Sequence, residues 1–419
     1  MDNFTHTLIG VVIGETTARI TTASEDGLPS PQRRALFTTL CAIASNVPDL
    51  DLLASVASHD KLSYLLQHRG YTHTLLGVVI QALLLYAAVH VWCRLRHWVL
   101  SRRDRIHVAA LICASLLVHL GMDFTNDYGV HPFWPFNDGW LYGDSIFIWE
   151  PLLWTAAAPL VFLLKTKTAR ALIAALLVAA VAVCFTSGLV PLPFAVAMAA
   201  LTLILLALGR QATPRIALAS GIAVWIGVTV IFAICRSVVV GELRGFAAQQ
   251  LPQQRILDYI VSPMPANPVC WQVILPAVDD THYLLRQGTW SLAPRWLPAG
   301  SCPGRNLFQH ITSPREPIGN AESAQVLWRG EIRMPRDQIA QLAATDCRAA
   351  AFLRFARAPW IAEREGLRVI GDLRYDREPE AGFAEIELDP RVTQCPSHIP
   401  PWLPPRADLI HSGSVSLSR

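Results

Sequence analysis

Four polar clusters interrupt the first 125 residues of an otherwise apolar sequence. They are Thr5-His6-Thr7, then Asn46-Val47-Pro48-Asp49-Leu50-Asp51, then His68-Arg69-Gly70-Tyr71-Thr72-His73, and finally His119-Leu120-Gly121-Met122-Asp123. His119 and Asp123 are four residues apart and share one face of a helix. Asp49 and Asp51 follow a proline that ends a helix, so an extended turn can aim both carboxylates the same way. His68 and His73 bracket an Arg-Gly turn in which Gly70 permits a tight approach. Imidazole and carboxylate together suit Zn²⁺, Mn²⁺ or Fe²⁺. Two metals bridged by an Asp would activate water for hydrolysis and neutralise a phosphoryl oxygen, and Arg69 can hold a phosphate or a developing negative charge. A single histidine at a membrane surface is ordinarily an interfacial residue, and an Asp pair after a proline is commonly a turn or cap. Four such clusters in a chain poor in charge point instead to a metal site.

The elements that carry these clusters are membrane helices. Of 419 residues, 52% are hydrophobic and 16% charged, against about 25% charged in a soluble domain; the mean hydropathy is +0.34. This excludes disorder, a coiled coil and a single soluble domain, and the net charge of +3 gives no reason to expect nucleic acid as a partner. Spanning helices are expected at 74–92, 106–122, 149–164, 170–187, 192–209 and 216–235. Two weaker runs, 5–18 and 34–47, read as a hairpin that only partly crosses the bilayer. Residues 5–14, THTLIGVVIG, repeat as THTLLGVVIQ at 72–81 with eight of ten positions identical, which suggests that His6 and His73 open related helices at one membrane face.

Loop charge sets an orientation. Placing Arg94, Arg96, Arg102, Arg103 and Arg105 in the cytoplasm puts thirteen basic residues on that side, whereas the opposite loops 46–73, 123–148 and 188–191 hold only Lys61 and Arg69. All four polar clusters then fall at the outer helix ends, although they played no part in choosing the orientation. The N-terminus and residues 241–419 are expected outside, in the periplasm of a bacterial cell whose inner membrane the chain crosses several times. No cleavable signal peptide is visible, since no basic flank precedes the first apolar run.

The apolar runs stop near residue 240. The remainder holds 19 of the 29 prolines and 19 Lys/Arg balanced by 19 Asp/Glu. Trp271–Leu275, Gly366–Leu373 and Phe383–Leu388 pattern as strands, Arg336–Phe355 reads as one helix, and the proline-rich tail after Thr393 as extended or loose. The fold class is therefore an all-α polytopic membrane bundle followed by a soluble β-rich α+β domain. Cys270, Cys302, Cys347 and Cys395 allow two disulfides in an exported domain, with three connectivities open, or four free thiols.

Residues 123–150 contain no Lys or Arg and are rich in aromatics: Phe133, Trp134, Phe136, Trp140, Tyr142, Phe147 and Trp149. The stretch is either an interfacial belt or a loop that roofs the metal site and admits a lipid-like substrate. Asp127, His131, Asp144 and Glu150 are further candidate ligands or bases. His90, His97 and His107 lie towards the opposite face; His282, His310, His398 and His411 read as ordinary surface or loop residues.

The Thr-His-Thr, the PDLD at 48–51, the HRGYTH at 68–73 and the HLGMDFTNDYG at 119–129 followed by PFWPF at 132–136 resemble, in order and spacing over residues 1–165, the YdjM family of membrane-bound metal-dependent hydrolases, also described as LexA-binding and inner-membrane-associated. Thr74 stands where the family usually has Ser, and MPANPVCW at 264–271 looks like an element of longer members. The family is similar, at the level of fold, to all-helical zinc-dependent phospholipases C and single-strand nucleases. The resemblance implies His6, Asp49, Asp51, His68, His73, His119 and Asp123 as metal ligands; the residue types make zinc, then manganese or iron, the expected metal and Asp49, Arg69 and Asp123 the expected catalytic residues. A LexA contact would be cytoplasmic, on the side opposite to the site and the large domain.

The expected organisation is a hydrolase-like helical domain over 1–165, additional membrane helices over 166–240 and an extracytoplasmic domain over 241–419. The expected function is hydrolysis of a phosphoester of a lipid or lipid-linked molecule by metal-activated water, with the bilayer as the first partner. The alternative is a membrane scaffold or sensor with a structural metal and a protein partner on 241–419. A transporter is disfavoured, because the ionisable residues sit at helix ends rather than at mid-membrane.

Overall fold

The computed structural model describes residues 1–53, 61–304, 313–319, 322–376, 382–391 and 394–410; His310, Thr393 and His411 lie outside them. The chain opens with a helical hairpin, α1 (Asn3–Ile20) and α2 (Ser30–Ala44). Asp2 caps α1 by accepting the Thr5 N–H at 2.9 Å. The two helices touch backbone to backbone at Gly10 and Gly14: a Cβ on either would meet the Cys41 or Phe37 carbonyl oxygen at 2.5 and 2.6 Å. This small-residue notch fixes the separation of α1 and α2, and hence of His6 from the polar turn that follows α2.

That turn is a 3₁₀ helix, Val47–Asp51, and the chain continues through α3 (Lys61–Gln67), a second 3₁₀ turn (Tyr71–His73), α4 (Leu75–Leu95) and α5 (Arg102–Phe124). The sequence repeat is not a structural one. Thr74 caps α4, so His73 stands just outside its helix, whereas His6 lies one turn inside α1.

The run expected to span at 149–164 does not form a long helix. It breaks into α6 (Pro151–Thr155) and α7 (Leu160–Leu163), because Pro159 lacks an N–H and its ring obstructs the preceding turn. Trp154 donates to Thr5 Oγ1 at one end of α1, and the Leu163 carbonyl accepts from Arg19 and Arg34 at the other. The broken segment thus still runs the length of α1. Then come α8 (Lys167–Thr186), α9 (Leu192–Gln211) and α10 (Pro214–Gln250). Gly209 and Gly221 abut Pro159 and Ala156, where a Cβ would approach to 2.7 and 2.3 Å, so the break is seated in glycine notches. Among the described residues, five helices are long and apolar enough to cross a membrane: α4, α5, α8, α9 and α10.

The long α10 continues past the end of its apolar run near residue 240 and meets the C-terminal half, where Glu242 accepts from Trp290 Nε1 at 2.7 Å and Gln325 Nε2 at 3.0 Å. An antiparallel sheet follows: β1 (Arg255–Ile256), β2 (Ile260–Met264), β3 (Asn267–Val278), β4 (His282–Ser291) and β5 (Val326–Pro335), in the order β1-β3-β4-β5 with β2 also paired to β3. A second sheet holds β6 (Pro359–Arg364), β7 (Leu367–Asp372) and β8 (Glu385–Leu388). The three stretches expected as strands are strands. Both disulfides form, Cys270–Cys302 and Cys347–Cys395.

One expectation for this half is corrected. Arg336–Phe355 is not one helix: α11 (Gln338–Thr345) stops and α12 (Cys347–Phe352) restarts, because Asp346 turns to extended backbone and accepts the N–H groups of Arg348 and Ala349. The tail, expected as extended or loose, is extended over residues 394–404 and anchored there: Trp402 is buried and stacks on His131 with ring centroids 4.1 Å apart, and Leu403 donates to the Asp138 carbonyl. An aromatic residue among prolines outweighs the composition.

Hydrophobic burial is continuous between the halves. Leu62, Leu65, Leu66 and Tyr128 share a core with Phe352, Trp360 and Ile370, and α10 shares another with Trp271, Trp290 and Trp328. Polar contacts lock the same junction. Arg357 reaches Asp144 at 2.7 and 2.9 Å and Asp258 at 2.8 and 3.2 Å, and Glu150 accepts the N–H of Ala266, the turn residue of the MPANPVCW stretch, at 3.1 Å.

Candidate metal centre

Asp49, His73, His119 and Asp123, all buried, each offer a ligand atom, and these atoms lie within 4.8 Å of one another. Asp49 comes from the 3₁₀ turn after α2, His73 from the turn before α4, and His119 and Asp123 from the last turns of α5. Helical spacing presents the last two side by side; the glycine-notched hairpin and α5 hold the other turns against them.

The hydrogen-bond partners of the two histidines determine what they present to the centre. His119 Nδ1 lies 2.8 Å from the Ser45 carbonyl oxygen, which can only accept. Thr72 Oγ1 gives its hydrogen to Asp51 at 2.9 Å, so it can only accept from His73 Nδ1, 3.0 Å away. Each Nδ1 is therefore the donor, and each Nε2 faces the centre with a lone pair. The two Nε2 atoms are 3.0 Å apart. A positive charge has to stand between them, a proton or a metal ion. Burial opposes charge on His73, but hydrogen bonding to Asp123, Asp49 and Asp51 prevails and raises its pKa to about 10. Asp123 Oδ2 lies 3.1 Å from His73 Nε2 and 3.4 Å from His119 Nε2, yet has no hydrogen-bond partner among the described residues. Two ring nitrogens and a carboxylate oxygen converging in this way are a donor set that suits a divalent cation.

A second group, Asp49, Asp51 and His68, shares Asp49 with the first. His68 Nδ1 is 3.1 Å from Asp51 Oδ1, and Asp51 Oδ2 accepts the Arg69 N–H at 2.9 Å. Burial would raise the Asp51 carboxyl, but the bonds from His68 and His73 hold it below the usual range.

His6 stands beside these groups rather than within them: Nε2 is 3.2 Å from Asp123 Oδ1 and the ring stacks on His119 at 3.8 Å. Arg69 adopts a positive φ of 58°, a conformation that usually marks a constrained site. Its guanidinium lies 3.1 Å from Asp123 Oδ2 and donates to Asn126 Oδ1 at 2.7 Å. The tight approach expected at Gly70 is real: a Cβ there would meet the Gln67 carbonyl oxygen at 2.8 Å. Asp144 is occupied by Arg357, and Glu150 by the Leu152 and Ala266 N–H groups. His131 lies between Trp140 and Trp402. None of these three belongs to either group.

The aromatic stretch is divided between the two expected roles. Phe136 is 95% and Trp149 61% exposed, as a belt requires. Trp140 instead donates to the Arg354 carbonyl under the C-terminal half, and Phe147 lines a cavity of about 340 Å³ beside Asp49, His68 and Arg69. Sequence reasoning missed Asn126 and Tyr128, which hold Arg69 although they lie inside the HLGMDFTNDYG motif, and the cavity wall supplied by Ser262, Tyr375 and Phe383. A polar residue adjoining a recognised cluster was the available signal for the first pair; nothing local marked the second set.

A helical membrane half with a buried His/Asp group that can hold a metal ion defines a multi-pass membrane protein with a candidate metal centre. Residues 1–190, a little under half of the chain, match the family model described as YdjM inner membrane protein. The uncharacterized protein YfhP of Bacillus subtilis (strain 168) is 22% identical over 153 residues, 36% of this chain and 43% of that protein, so the match spans less than half the length of that relative. No solved structure matches the chain.

Proposed function

We propose that the protein is a membrane-bound metal-dependent hydrolase acting on a phosphoester of a lipid or lipid-linked molecule. The observation that carries this reading is the approach of the Nε2 atoms of His73 and His119 to 3.0 Å, with Oδ2 of Asp123 3.1 and 3.4 Å from them. Asp49, His73, His119 and Asp123 would hold the first ion; Asp51 and His68, with Asp49 shared, would hold a second, and His6 supports Asp123. The donor set favours zinc, with manganese and iron also accommodated. A divalent ion there supplies an activated water and neutralises charge on a phosphoryl oxygen. Arg69 meets the developing negative charge, and Asp49 or Asp123 takes the proton released.

The adjoining cavity supports catalysis over the alternative of a scaffold with a structural metal, since a closed structural site needs no room for substrate. The loop charges and the two disulfides support placing the site and residues 241–419 on the periplasmic side. The functional division is a catalytic domain over 1–165, further helices over 166–240 and an extracytoplasmic domain over 241–419.

The test is metal analysis of the detergent-purified protein by inductively coupled plasma mass spectrometry, beside the His73→Ala/Asp123→Ala double variant. One or two equivalents of metal per chain, lost in a variant that keeps its helical content, support the reading. No stoichiometric metal in the wild type overturns it.

A further inference from the structure

The cavity beside the metal centre is built by both halves of the chain, and its chemistry is divided. On one side stand Arg69 and two hydroxyls, Tyr128 from the membrane half and Tyr375 from the C-terminal half. The Arg69 guanidinium carbon is 4.7 Å from the Tyr128 ring centroid, and the two tyrosine rings are 6.4 Å apart. Both hydroxyl oxygens are buried, and neither has a hydrogen-bond partner among the described residues. A buried hydroxyl left unpaired is destabilising, so the pair is provided for a ligand that accepts hydrogen bonds. The other side is apolar: Leu52, Phe147, Ile148 and Phe383. The chain neighbours of this lining, Phe4, Leu50, Leu53 and Trp149, are large, apolar and exposed, as at a mouth that opens into lipid.

The geometry points to a binding site, shared between the two halves, for the phosphate head of an amphiphile. Arg69, Tyr128 and Tyr375 take the head, and Phe383 with Phe147 takes the first part of an aliphatic chain. The C-terminal half is then part of the substrate site rather than a separate docking module. This rests on the metal-dependent reading, because Asp49 and Asp127 also line the cavity and would repel an anion unless a cation offset them.

The test is calorimetric titration of the full, disulfide-intact protein in a non-ionic detergent with hexyl phosphate, inorganic phosphate and hexanol, with metal content measured on the same samples. Hexyl phosphate should bind tightest. Tyr375→Phe and Tyr128→Phe should each weaken both phosphates about tenfold at unchanged metal content, and Phe383→Ala should weaken hexyl phosphate alone. Unchanged affinity in both tyrosine variants overturns the inference, as does hexanol binding as well as hexyl phosphate. Equal affinity for inorganic and hexyl phosphate overturns the amphiphile and leaves a phosphate site. If the wild type holds no metal but binding still depends on the tyrosines, the hydrolase reading falls and the shared pocket stands. Stoichiometric metal without tyrosine-dependent binding gives the reverse.

Discussion

His73 and Asp51 are joined through Thr72: the Thr72 hydroxyl donates to Asp51 Oδ2 at 2.9 Å and leaves its oxygen to accept from His73 Nδ1 at 3.0 Å. Asp51 thereby orients the ring whose other nitrogen faces the centre. Toward the first ion Asp51 is an outer partner, which tunes affinity through the ligand it orients. Asp51→Asn is expected to retain the first ion, weakened by about 10- to 100-fold, and to lose the second, of which Asp51 would be a ligand, whereas His119→Ala should abolish binding of the first. Competition with a chelator of known affinity distinguishes the two; equal behaviour of both variants would refute the division of roles.

The notch between α1 and α2 gives a stability prediction. Gly10→Ala and Gly14→Ala place a Cβ on a carbonyl oxygen and should destabilise the protein by roughly 1–3 kcal/mol, lowering the thermal unfolding midpoint in detergent. Gly227→Ala, where nothing lies within 4 Å, should leave it unchanged or slightly raised.

Glu150 makes the junction sensitive to pH. Its carboxyl is buried, which raises its pKa from 4.5 to about 8. A raised acid pKa means that the folded state holds the proton longer than the unfolded state. The stabilisation from the neutral form is complete below pH 4.5 and is lost as pH rises through about 8. Glu150→Gln keeps an acceptor for the Ala266 N–H and removes the titration. The unfolding midpoint of the wild type should therefore fall relative to that of the variant between about pH 5 and pH 8; parallel curves over that range would show that Glu150 does not titrate there.

Arg357 is the ionic centre of the junction. Arg357→Met leaves Asp144 buried beside an apolar side chain and should cost about 3–5 kcal/mol. Adding Asp144→Asn should recover part of that loss, because the uncompensated charge is then gone. Limited proteolysis between the two halves and the unfolding midpoint both report it, and a double variant no better than the single one would count against the pairing.

The two-part architecture was legible because hydropathy changes abruptly near residue 240, and the convergence of His6, Asp49, His73, His119 and Asp123 was legible because loop charge put four polar clusters at one side. The strands around Trp271, Val369 and Ile386 were legible from alternation. What was not legible depends on partners distant in sequence. The 149–164 run has the composition of a span, but Pro159 breaks it and glycines fifty and more residues away receive the break. Trp402 looks like a residue of a loose tail until His131 is placed beneath it. Tyr375 carries no motif, and its meaning comes only from Tyr128, nearly 250 residues earlier, and Arg69, about 300 residues earlier. Periodicity reports which face of an element is apolar; it does not report which other element meets that face.

The 37 residues of α10 form one uninterrupted helix from the membrane half into the first sheet. At 1.5 Å per residue it is a rod about 55 Å long. It contacts β2 and β3, and β2 carries the cavity residue Ser262. The β2 wall of the cavity is thus seated on the same rod that packs against α6 and α9 in the membrane half, so that wall and the helix bundle are one mechanical piece.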